Sequence, residues 1–156
     1  TEDQVTILIS QGTGVFTAGP ALTHPSSAVS DILLADMDGD SDVDVVVAST
    51  YVLVYPNNGN GTFGAVIPSS PPFGAVGMGK GDFDGDGDLD LALTAFVEDK
   101  LAVMKNAGDG TFGSPLVRTV PGSAEEPSMA DVDGDGKMDL LLPNQLITVL
   151  PHDCAF

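Results

Sequence analysis

The sequence predicts an all-β chain of β-propeller-type repeats, with about three four-stranded blades. Three observations carry that prediction. An aspartate-rich loop starts at Asp36, Asp82 and Asp131, 46 and 49 residues apart, and a fixed period of that size marks a repeat architecture. Each loop is followed by two short apolar runs, and the first two copies then show an Asn/Gly turn cluster. No stretch carries helical periodicity with caps.

Taken in order, residues 5–9 and 15–22 read as the third and fourth strands of an incomplete blade, 1–24. Between them Ser10-Gln11-Gly12-Thr13-Gly14-Val15-Phe16 is a degenerate turn. A full blade, 25–70, offers strands at 29–35, 43–48, 52–55 and 63–68. A second, 71–120, offers 75–81, 89–94, 101–104 and 112–120. The partial blade 121–156 has 127–130, 138–142 and 146–150. Asn57-Asn58-Gly59 and Asn106-Ala107-Gly108-Asp109-Gly110 signal tight turns between apolar runs. Phe16, Phe63 and Phe112 recur with them and are expected to anchor the core between sheets.

The loops read Asp36-Met-Asp38-Gly-Asp40-Ser-Asp42-Val-Asp44, Asp82-Phe-Asp84-Gly-Asp86-Gly-Asp88-Leu-Asp90 and Asp131-Val-Asp133-Gly-Asp135-Gly-Lys137-Met-Asp139. Calcium takes about 6–8 hard oxygen ligands. Alternating carboxylates at positions 1, 3 and 5 can turn inward around one point, and Asp44, Asp90 or Asp139 at position 9 would close the shell. Position 7 varies (Asp42, Asp88, Lys137), so its backbone carbonyl is the expected ligand. An EF-hand needs a carboxylate at position 12, where this chain has Val47, Leu93 and Leu142. Zinc and copper favour His or Cys, and magnesium favours a rigid, partly hydrated octahedron. Three calcium ions are therefore expected, pinning one turn in each repeat.

These motifs resemble FG-GAP/VCBS repeats, the calcium-bearing repeats of integrin α-subunit-like propellers. The resemblance covers nearly the whole chain. It implies the same ligands: carboxylates at positions 1, 3, 5 and 9, with Asp42, Asp88 and Lys137 acting through backbone oxygen. Two departures stand out. Ser41 occupies a position where the other loops have Gly, and residues 1–24 carry no acidic loop.

Composition narrows the function classes. The 156 residues carry a net charge of −18, with 23 acids against 5 bases. The three loops hold 14 of those acids, and three calcium ions would bring the charge to −12. Nucleic acid and anionic membranes are poor partners for such a surface. No run is long enough to span a bilayer, and no charged-then-apolar leader opens the chain, which reads as a mature or recombinant form. Cys154 is alone, excluding a disulfide framework; it reads as a terminal thiol, with intermolecular pairing as the alternative. Millimolar calcium is an extracellular resource, so a secreted or cell-surface location is expected. Asn60-Gly61-Thr62 is an N-glycosylation acceptor pattern.

The function expected is a non-catalytic recognition module taking a glycan or a protein, hence a lectin or an adhesion domain. Its repeats would give multivalency. Tyr51 and Tyr55 read as strand residues; Phe73, after Pro71-Pro72, is the best candidate for an exposed aromatic, with Phe96 also considered. Against catalysis, His24 and His152 lie in no nucleophile motif. The alternative is a structural propeller fragment of a larger secreted enzyme or scaffold. Glu98, Asp99, Lys100, Glu125 and Glu126 read as solvated loop charges. Propellers close with about 4–8 blades, so the chain is expected to join a copy of itself or a further portion of a longer propeller.

Overall fold

The computed structural model describes residues 3–24, 29–75, 77–95, 98–120, 126–143 and 148–150. Among these residues the elements are strands alone: β1 (Asp3–Ser10), β2 (Phe16–His24), β3 (Asp31–Ala35), β4 (Asp44–Ala48), β5 (Val52–Tyr55), β6 (Ile67–Ser69), β7 (Gly77–Gly81), β8 (Asp90–Ala95), β9 (Lys100–Met104), β10 (Leu116–Thr119), β11 (Ser128–Ala130), β12 (Asp139–Leu142) and β13 (Thr148–Leu150). No helix among them is long and apolar enough to cross a membrane.

The strands form four antiparallel meanders. Two are complete blades, β3-β4-β5-β6 and β7-β8-β9-β10. They are flanked by the hairpin β1-β2 and the three-stranded sheet β11-β12-β13. The chain therefore builds each sheet from consecutive strands, as short connections require. Strand β7 touches both β3 and β11, so the first strands of successive sheets line up side by side.

Continuous burial explains the sequence of the middle strands. Asp-Val-Val-Val-Ala of β4 and Val-Leu-Val-Tyr of β5 are buried at every position. A strand covered on one face alternates apolar and polar residues; one covered on both does not. Each of the two complete blades lies between neighbouring sheets, and the three apolar clusters fill the spaces between sheets. The largest joins Ala35, Val46, Val54 and Ala48 to Met78, Leu91, Leu93 and Met104. A second joins Ala92, Leu101 and Val103 to Leu140 and Leu142. The third packs Val5, Ile7 and Leu22 on Val45, Val47, Leu53 and Tyr55. Val46 and Val47 are neighbours on opposite faces, each fully buried, one in the first cluster and one in the third.

Four expectations need correction. Phe16 is 59% exposed, whereas Phe63 and Phe112 pack against cluster residues. The same pairing recurs in all three turns, Ser10↔Phe16, Asn57↔Phe63 and Asn106↔Phe112; what differs is the sheet around it, since Phe16 opens β2 of a two-stranded hairpin that packs on β4 and β5 through Val5, Ile7 and Leu22. The strand expected at 63–68 shrinks to Ile67–Ser69, because Phe63 belongs to the turn. Tyr51 is exposed and lies in the β4–β5 turn, not in a strand, while Tyr55 is buried at the end of β5. Phe73 is 8% exposed and belongs to the largest cluster, since the Pro71-Pro72 turn folds its ring inward beside Ala75. Phe96, His152 and Cys154 lie outside the described residues.

Candidate metal centres

The acidic loops join β3 to β4, β7 to β8 and β11 to β12. All three therefore sit at the same end of their sheets. Each loop is a cage of hydrogen bonds drawn from its own backbone, and the pattern repeats nearly bond for bond. Position 1 comes first: Asp36 Oδ1 accepts from Gly39 N at 2.9 Å and Oδ2 from Ser41 N at 2.9 Å. Asp82 does the same with Gly85 and Gly87, and Asp131 with Gly134 and Gly136. At position 5, Asp40, Asp86 and Asp135 each accept from the amide of position 7, at 2.8, 3.0 and 2.9 Å.

These turns need left-handed backbone at positions 4 and 6. Gly85 and Gly87 have φ of 80° and 99°, and Gly134 and Gly136 have 80° and 84°. Ser41 is forced to φ 76° at position 6 of the first loop, a conformation that costs a side-chain-bearing residue about 1–2 kcal/mol.

The cage leaves ligand atoms converging. Carboxylate oxygens of Asp36, Asp38 and Asp40 all lie within 4.8 Å of one another, as do those of Asp82, Asp84 and Asp86, and those of Asp131, Asp133 and Asp139. Two oxygens bound to one calcium at about 2.3–2.6 Å can be no more than about 5 Å apart. The donor set is wholly hard oxygen, and the spacing suits one cation per loop. Carboxylate oxygens have further lone pairs beyond those facing the amides.

Position 9 is the most buried part of each loop. Asp44 and Asp90 are fully buried and Asp139 nearly so. Their Oδ2 atoms accept from the amides of Met37, Phe83 and Val132 at 2.8–2.9 Å. The other oxygens of Asp44 and Asp90 accept from Asn57 N and Asn106 N, both at 2.8 Å. These residues tie the acidic loop to the Asn/Gly turn that follows the second strand after it, β5 or β9. Burial raises the pKa of Asp90 against the opposing pull of those amides, with repulsion from Asp84 and Asp86 adding to it. Burial likewise raises Asp38, followed by repulsion from Asp44 and Asp40. Position 9 thus lies within electrostatic reach of the cluster in the first two loops, and a cation would relieve the repulsion.

Position 7 points its side chain elsewhere. Asp42 lies over Gly59 and Asp88 over Gly108, so close that a Cβ on either glycine would meet the carboxylate at 2.3 or 2.5 Å. The Lys137 ammonium is 3.8 Å from Asp135, and Lys105 approaches Asp84 at 3.2 Å.

Sequence reasoning missed the asparagines as parts of the centre. Asn106 Nδ2 donates to Leu89 O at 3.2 Å and to Met37 O, in the preceding loop, at 2.7 Å. Asn57 Nδ2 donates to Val43 O. The signal was present: asparagine opens both turn clusters, six residues before the recurring phenylalanine.

The family model for the FG-GAP-like repeat matches residues 36–93 and 82–142. A search of curated proteins finds no match.

Proposed function

Because this chain belongs to the FG-GAP-like repeat family, we propose that it is a calcium-stabilised, non-catalytic recognition module that works outside the cell and binds a glycan or a protein surface. The observation that carries this reading is the triplicate acidic cage. Three loops hold three converging carboxylate clusters at one end of the sheets, and among the described residues only Lys105, on Asp84, and Lys137, near Asp135, bring a cation to them. Calcium supplies the missing charge, and each ion would be held by Asp36, Asp38, Asp40 and Asp44, or their counterparts, with the carbonyl of position 7. Its role is structural, as the buried position 9 suggests.

With one end of the sheets committed to metal, the ligand surface belongs at the other. There the β4–β5 turn meets the connection entering β7. A cleft of about 480 Å³ opens there, lined by Ser30, Ser49, Thr50, Pro72, Phe73 and Ala75. Tyr51 stands exposed in the same turn and is a better aromatic for stacking on a sugar than the buried Phe73. Catalysis is disfavoured because most of the converging carboxylates accept amides of their own loop, and Asp84 is paired with Lys105.

The test is a glycan array probed with labelled protein in millimolar calcium and again in chelator. Calcium-dependent hits that Tyr51→Ala weakens support a lectin. A blank array with folded protein eliminates the glycan arm and leaves protein adhesion or a structural role.

A further inference from the structure

Equivalent positions in successive sheets have unequal fates. Met78 of β7 faces the preceding sheet and is 1% exposed, because β3 stands in front of it. Counting from the acidic loops, its counterpart in β3 is Ile32. Ile32 is 46% exposed, and Leu34, on the same face, is 57% exposed. Ile32 pairs with Val47 and Leu34 with Val45, so all four share one face. The β1-β2 hairpin covers Val45 and Val47 and stops short of β3. Among the described residues an apolar strip continuous with an established sheet-to-sheet core is left open.

The other end of the array presents the matching surface. On β7 the face turned toward β11 is Gly77, Gly79 and Gly81, and Met129 and Pro127 press on it so closely that a Cβ at Gly79 would meet both at 2.7 Å. The small-residue face is thus what receives the large side chains of the next inner strand. On β11 the corresponding residues are Ser128 and Ala130, small and exposed, with half-buried Leu141 beside them on β12.

We propose that a second copy of this chain docks head to tail, laying the Ser128/Ala130 face of its β11 against Ile32 and Leu34 of β3. Each copy supplies three inner strands, β3, β7 and β11, so two copies supply six, within the about 4–8 blades that close a propeller. Contact at both ends makes the pair a closed ring with no open face. The hairpin β1-β2 then occupies the outer half of the partner's last blade. There β1 would take the edge of β12 that β13 holds in the single chain through Leu140↔Leu150, Leu141↔Val149 and Leu142↔Thr148.

Sedimentation velocity in millimolar calcium tests this. The expected species has twice the 15.9 kDa chain mass. Leu34→Lys and, on the opposite face, Ala130→Lys should each give a monomer with unchanged circular dichroism, since both side chains are exposed in the single chain. A monomeric wild type overturns the proposal. So does a dimer that survives both substitutions, or one that only Leu34→Lys dissociates, which would place some other segment on β3.

Discussion

Asn106 of the second complete blade donates a 2.7 Å hydrogen bond to the carbonyl of Met37, in the acidic loop of the blade before it. Asn106 also receives Gly108 N and Gly110 N on its Oδ1 and gives its second amide hydrogen to Leu89 O. Its side chain is buried, and every polar atom of it is used. One residue therefore links two acidic loops and shapes the turn at 106–110.

Asn106→Ala should lower unfolding free energy by about 1–3 kcal/mol, the range for leaving buried polar groups unpaired. Asn57→Ala should cost less, because the Asn57 side chain bonds within its own blade, donating to Val43 O and accepting from Gly59 N, and is not buried. Urea denaturation of both variants checks the order. Equal losses would mean the inter-blade bond contributes nothing.

The first loop carries a backbone strain its siblings avoid. Ser41 holds φ 76° where Gly87 and Gly136 sit at 99° and 84°. Ser41→Gly should stabilise the chain by up to about 1 kcal/mol, the penalty for a left-handed side chain less the added chain entropy of glycine. The check is a thermal melt in calcium. A lower melting temperature would show that the serine makes a compensating contact.

Gly79 is fixed by its neighbour. A methyl there would meet the Pro127 carbonyl and Met129 Cε, both at 2.7 Å, and the carbonyl is backbone that cannot swing aside. Gly79→Ala should destabilise by about 1–3 kcal/mol, as overpacking does, and should loosen β11 from β7. Hydrogen exchange at Met129 and Ala130 reads this directly. Unchanged protection would contradict the tight seam.

Asp86 tests the metal role residue by residue. Asp86→Ala should lower the melting temperature in calcium but change little in chelator, because without an ion the repulsion this carboxylate adds to the buried Asp90 offsets the amide bond it accepts from Asp88. Equal losses in both conditions would make Asp86 a structural cap only.

The strands and the acidic loops were legible because local chemistry decides them. Two-sided burial writes continuous apolar runs, as in β4 and β5, and ligand geometry writes alternating aspartates. Among the aromatics, Phe63 and Phe112 were legible as core anchors, whereas Phe16, Tyr51 and Phe73 were not. Phe16 and Phe63 follow similar turns and make the same pairing, Ser10↔Phe16 and Asn57↔Phe63, yet Phe16 stays exposed because it sits on a two-stranded hairpin with no complete sheet around it. Phe73 looked exposed after two prolines, but the direction of that turn depends on the space beside Ala75 and Met78. Likewise Ile32 and Met78 are both apolar and in register; their different exposure is set by the sheet in front of each, which no local pattern encodes.

The central claim is that three cations hold the three loops. Equilibrium dialysis against calcium, paired with melts in calcium and in chelator, tests it most directly. The account predicts saturation at three ions per chain and a melting temperature that falls on chelation. No saturable binding, or the same melting temperature in both conditions, would contradict it.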